Sequence, residues 1–186
     1  MSVDNEKESV RSLLRRAFLS WRGDSNSPAL DHDGCLEMRA KLFTVRPEDI
    51  EYFLPQVLED LLDTHTNNAG DSQDAETVVD FLDVPTLELD AEFIREKWGR
   101  ETLAKFRSDA KNLRSAKQAA LAGVTRDQAQ AICQWLKYAR TWGDLEWNMD
   151  SVESALSYWS KRVASHLSVL IHGSAPPLPT MAATGC

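Results

Sequence analysis

Thr125-Arg126-Asp127-Gln128-Ala129-Gln130-Ala131-Ile132-Cys133-Gln134-Trp135-Leu136-Lys137-Tyr138-Ala139 is the stretch that decides the fold class of this 186-residue chain. Its first four residues fit a capping box, in which the Thr125 hydroxyl and the Gln128 side chain satisfy backbone groups reciprocally at a helix start. Ala129, Ile132, Cys133, Leu136 and Ala139 then recur at the three-four spacing of one helical face. An amphipathic helix is predicted, ending near Trp142-Gly143.

The same spacing recurs on both sides. Towards the C-terminus an aromatic, acidic connection (Asp144 to Asp150, with Glu146 and Trp147) leads into a helix burying Val152, Ala155, Leu156, Trp159, Val163, Leu167 and Leu170. Gly173 is its expected cap, and residues 174–186, rich in proline and small residues, are expected to be a disordered tail. On the N-terminal side Phe93, Ile94, Trp98, Leu103, Phe106, Ala110, Leu113, Ala120 and Leu121 predict a long helix, or two broken near Gly99, with Gly123 as the stop. The aromatics of this segment sit at core spacing. Before it, residues 76–84 hold a short apolar piece that reads as a helical turn or a minor strand, and the polar run 64–75 reads as an exposed loop.

Ile50, Phe53, Leu54, Val57, Leu58, Leu61 and Leu62 form a broad apolar stripe behind the helix start Thr44 to Asp49. Pro55 interrupts it at a cost of about 3 kcal/mol for an interior position, so a kink or a fresh helix start is expected there. Val10, Leu13, Leu14, Ala17, Phe18 and Trp21 predict a first helix, and Asp24 to Gly34 a polar loop leading to a short helix from Cys35 to about Phe43. Strand signals are nearly absent. The expected fold is mainly α: a single-domain, bundle-like arrangement of five to seven helices over residues 1–173.

The length suits one domain, and an apolar share of 42% suits a packed core. No run approaches the eighteen apolar residues of a membrane span, and the polar N-terminus lacks the features of a secretory signal. Three cysteines at wide spacing fit a reducing, cytoplasmic setting.

The net charge of −8 hides an asymmetry. Residues 46–92 carry fourteen acids against Arg46, a local charge of −13, whereas residues 93–126 carry nine bases against three acids, or +6. The two blocks either neutralise each other or act as separate surfaces, and an acidic surface attracts and steers a basic partner. Overall acidity disfavours nucleic acid, because such binding neutralises phosphates with Lys and Arg.

Catalytic motifs are missing: no phosphate-binding loop, dinucleotide fingerprint, nucleophile elbow or zincin sequence occurs. Asp31-His32-Asp33-Gly34-Cys35 gathers metal-capable side chains, but in calcium-loop register Ala29 and Ala40 fall where ligands belong. His65, His166, His172 and Cys133 lack zinc spacing. No metal or cofactor is expected, and a polar turn is the simpler reading of that cluster. Trp142 and Trp147 flank a connection that also carries Asp144 and Glu146, the composition of an interface hot spot against a basic protein.

Ala17-Phe18, Glu51-Tyr52-Phe53-Leu54-Pro55 running into Val57 to Leu62, Thr125 to Gln128 with Trp135 to Tyr138, and Tyr158-Trp159 together resemble a family of small uncharacterised bacterial helical proteins with an aromatic-aromatic-Leu-Pro helix. The resemblance implies a bacterial helical fold and carries no activity. The functional expectation is a non-enzymatic binding protein of the immunity or inhibitor type. Its acidic helical surface (Glu51, Glu59, Asp60, Asp63, Asp144, Glu146 and Trp147) would mask a basic partner such as a nuclease toxin. The alternatives are a small hydrolase or transferase built on Asp31, His32, Asp33 and Cys35, and a structural module that dimerises through aromatic helices.

Overall fold

Seven α-helices and two 3-10 turns make up the regular structure of the described residues, and no strand is among them. The computed structural model describes residues 3–18, 29–65, 72–84 and 91–172. The mainly α, bundle-like expectation holds.

Helix α1 (Val3–Ala17) has Asp4 and Glu6 in its first turn and Arg15 and Arg16 in its last, matching the helix dipole at both ends. It buries Val10 and Leu14, with Phe18 just beyond. Helix α2 (His32–Lys41) starts earlier than its apolar residues suggest, because Asp31 is its cap and accepts the Gly34 N–H at 2.8 Å. The last residues of the expected 24–34 loop are therefore a helix start. The chain continues through a 3-10 turn (Leu42–Thr44) into α3 (Pro47–His65).

Helix α3 runs through Pro55 unbroken. The proline removes one backbone donor, and the side chain of Gln56 donates to the Tyr52 carbonyl at 3.1 Å alongside the gap. Burial of Ile50, Leu54, Val57, Leu58, Leu61 and Leu62 outweighs the local cost.

Helix α4 (Ser72–Leu82) corrects two expectations. The apolar piece at 76–84 is helix and not strand: Val78, Val79, Phe81 and Leu82 are all buried, which the spacing of a helical face permits. Of the expected loop 64–75, both ends are helical, and Ala75 is in the core. Helix α5 (Ala91–Ala120) breaks at Gly99, whose φ of 85° lies where a side chain would be strained. Helix α6 (Arg126–Ala139) begins with the predicted capping box, the Gln128 N–H donating to Thr125 Oγ1 at 3.3 Å and the Thr125 N–H to Gln128 Oε1 at 2.8 Å. A 3-10 turn (Gly143–Asn148) precedes α7 (Met149–His172). The expected cap at Gly173 and tail at 174–186 lie outside the described residues.

Helix α6 packs between α1 and α7, α2 lies across α3 and α4, and α4 closes on α7. Two fully buried tryptophans pin this arrangement. Trp135 of α6 donates from Nε1 to the Leu58 carbonyl of α3 at 3.1 Å, and Trp159 of α7 donates to the Leu82 carbonyl at the end of α4 at 3.0 Å. Each brings a large apolar surface to the core and satisfies its one polar atom there.

Candidate functional site

The acidic residues proposed from sequence are engaged within the chain. Glu59 receives a two-pronged hydrogen bond from Arg15 of α1, at 2.9 Å from Nε and 3.0 Å from Nη2. Asp63, one turn on, accepts from Arg11 and pairs with Lys7 at 3.2 Å. Glu51 accepts from Gln128 Nε2 of the α6 capping box at 3.0 Å. Planar guanidinium and carboxylate groups match in this geometry, so the basic face of α1 is fastened to the acidic face of α3. Within the acidic block, Glu59 and Asp63 are thus matched by α1 and Asp60 and Asp74 by α2, while Lys117 of the basic block lies close to Asp83. Asp144, Glu146 and Trp147 lie in the 3-10 turn Gly143–Asn148, and their side chains are outside the described residues.

Asp60 belongs to a different cluster. Arg39 of α2 is only 2% exposed and holds two carboxylates, Asp60 of α3 and Asp74 of α4, the latter at 2.8 Å. His32 Nδ1 lies 3.1 Å from both oxygens of Asp60. A histidine oriented by a carboxylate is half of a catalytic pair, but the candidate nucleophile Cys35 is buried in the core. Burial, with Asp60 nearby, pushes its thiol up to about 11, so it stays protonated and unreactive at neutral pH. Asp31 is committed to its cap, and among the described residues no group of His, Cys, Asp and Glu is placed to hold a metal. The arrangement joins three helices through one buried guanidinium, and presents no reactive thiol to a substrate.

Helix α5 behaves differently from every other element. Its C-terminal end is anchored: Leu121 and Val124 are in the core, and Arg162 of α7 donates to the carbonyls of Ala122 and Val124, both at 2.8 Å. Lys117 donates to the Asp80 carbonyl and, at 2.9 Å, to the Asp83 carbonyl, capping the C-terminal end of α4. Burial lowers the Lys117 pKa, and Asp83 and Asp80 oppose that. Before this anchor, over residues 104–116, every side chain except that of Ala110 is exposed.

This stretch overturns the reading of its apolar residues as core. Phe106 is 43% exposed and Leu113 38% exposed; with Phe43, at 40%, they are the exposed large hydrophobics of the described residues. Lys105, Arg107, Lys111 and Arg114 are exposed around them and form no ion pair with any described residue. Sequence spacing places such residues on one face without saying what covers that face. The signal that sets this helix apart is the narrowness of the apolar line and the density of cations beside it, in contrast to the broad stripe of α3.

Compared with known proteins, the chain matches no family model, no curated protein and no solved structure. No helix among the described residues is long and apolar enough to cross a membrane.

Proposed function

We propose that the chain is a non-enzymatic protein-binding module whose recognition element is residues 104–116 of α5. One observation carries this reading: over residues 104–116, more than three turns of helix, every side chain but that of Ala110 is exposed, Leu113 included, and Lys105, Arg107, Lys111 and Arg114 form no ion pair with any described residue, while the acids of α3 are already matched. A helical stretch this exposed gains little from tertiary burial, and isolated helices of about 12 to 15 residues are marginal in water. A partner laid along it supplies the missing burial. An immunity, inhibitory or assembly role is open to such a surface. The acidic face of α3 serves a basic partner less well, because that partner must first displace Arg15, Arg11 and Lys7. A cytoplasmic setting accords with the buried free thiols of Cys35 and Cys133.

The test compares tagged full chains purified from the native cell. The reading expects a stoichiometric partner retained by the wild type and by Glu59→Gln, and lost from Leu113→Glu. A partner retained by Leu113→Glu and lost from Glu59→Gln returns the site to the acidic face, and the absence of any partner removes the reading.

A further inference from the structure

We infer that a line of cations on α5, Arg100, Arg107, Lys111 and Arg114, is a docking surface for the sugar-phosphate backbone of a nucleic-acid duplex. All four side chains are exposed and form no ion pair with any described residue. Beyond the break at Gly99, at about 100° per residue, they fall within one sector of about 60° and run over about 21 Å of helix. This contact stands apart from the protein-binding reading, because Leu113 lies about 100° or more round the helix from every member of the line.

The charges of this stretch are segregated. Its acids, Glu101 and Asp109, stand four residues before and after Lys105 on the far side of the helix, so they offset that cation and leave the line without an anion. Arg107 and Lys111 are four residues apart, and Lys111 and Arg114 three, spacings at which like charges weaken a helix. Asp80 and Asp83, which lie near Lys117 at the end of the helix, hold Asn148 and Ser154 instead of the line. An anion seated here relieves a repulsion that no described residue answers.

Side-chain type selects the occupant. Besides the four cations the sector holds only Ala104 and Gln118, so it offers no apolar anchor. A protein interface centres on aromatic or aliphatic anchors and is depleted in lysine, whereas phosphate backbones are held by Arg, Lys and amide side chains without an apolar centre. One strand of a duplex carries a charge per about 3.4 Å of axis, so the line spans about six phosphates. No aromatic lies in the sector to stack on unpaired bases, which selects the backbone of a duplex and gives no reading of sequence. A membrane surface would need apolar side chains to insert beside the cations. The net charge of −8 weighs against nucleic acid for the surface as a whole, but charges beyond about 10 Å are screened at 0.1 M salt, and residues 93–126 carry +6 locally.

The test follows the fluorescence anisotropy of a labelled DNA duplex of about 24 base pairs, titrated with the full chain at about 50 mM salt and above. Binding is expected with a log–log salt slope of about −3 to −4, or about 0.9 for each phosphate neutralised, and within about twofold for a second sequence. Arg107→Gln/Lys111→Gln/Arg114→Gln should bind at least about tenfold more weakly, with a slope shallower by about two to three. Arg16→Gln/Lys137→Gln/Lys161→Gln removes as much charge from exposed positions on α1, α6 and α7, and should stay within about threefold of the wild type. Arg107→Gln alone should make the slope shallower by about one, which keeps a readout if the first triple variant loses its fold. Absence of binding at about 50 mM salt, equal losses in the two triple variants, or tighter binding of poly-glutamate or of phosphatidylserine vesicles than of the duplex overturns the duplex contact. Retention of the natural partner by Leu113→Glu is a separate readout, so the protein-binding reading survives each of these results.

Discussion

Replacing Arg39 with methionine removes the guanidinium that joins α2, α3 and α4 while keeping most of its aliphatic volume. Arg39 is 2% exposed, and its partners Asp60 and Asp74 are 15% and 30% exposed. Breaking a buried ion pair by deleting one partner costs roughly 3 to 5 kcal/mol, because the other charge stays desolvated and uncompensated. Water reaches both carboxylates in part, and His32 still faces Asp60, so the lower end applies: about 3 kcal/mol. For a chain of this size that corresponds to a melting temperature lower by roughly 6 to 12 °C. Urea denaturation followed by far-ultraviolet circular dichroism measures it directly. The triple variant Arg39→Met/Asp60→Asn/Asp74→Asn should recover to within about 1 kcal/mol of the wild type, since neutralising the whole cluster removes the orphaned charges. A loss below about 1 kcal/mol in the single variant, or no recovery in the triple, would refute the view of Arg39 as the buried tie between these helices.

Three further outcomes follow from the same structure. Trp159→Phe leaves the buried Leu82 carbonyl without its donor and should cost about 1 to 3 kcal/mol in the same denaturation experiment. Leu113→Ala should change folding stability by less than about 0.5 kcal/mol, whereas Leu121→Ala, at a fully buried position, should cost about 2 to 5 kcal/mol. A large loss at Leu113 would mean that it belongs to a core. The Cys35 thiol, raised from 9.0 to about 11, binds its proton more tightly in the folded chain than in the unfolded one. Its contribution is present below pH 9 and is lost as the pH rises through about 11, so the wild type should lose about 2 to 3 kcal/mol across that window relative to Cys35→Ala.

Local chemistry made much of the fold legible in the sequence. The Thr125 to Gln128 capping box, the break at Gly99 and the stripe behind Ile50 each depend on a few neighbouring residues, and each appears where its chemistry places it. The 76–84 piece was ambiguous because five apolar residues fit either period, and only packing against α2 and α7 decides between them. The start of α2 was hidden by the polar look of Asp31-His32-Asp33-Gly34, which is also what a capped first turn requires. The charge blocks were visible, but their pairing was not. Arg11 and Arg15 lie on α1, 52 and 44 residues from Asp63 and Glu59, and such contacts follow from tertiary placement. The exposure of residues 104–116 escaped notice for the complementary reason: Phe106 and Leu113 have core spacing, and spacing carries no record of how far a face is covered.

The account turns on one face of α5. A photo-crosslinking amino acid placed in turn at positions 106, 108, 110, 113 and 115 of the full chain, in the native cell, reads that face residue by residue. One adduct is expected, strong from 106, 110 and 113 and weak from 108 and 115, which lie on the opposite side of the helix. Equal yields at all five positions, or no adduct at any of them, would contradict it.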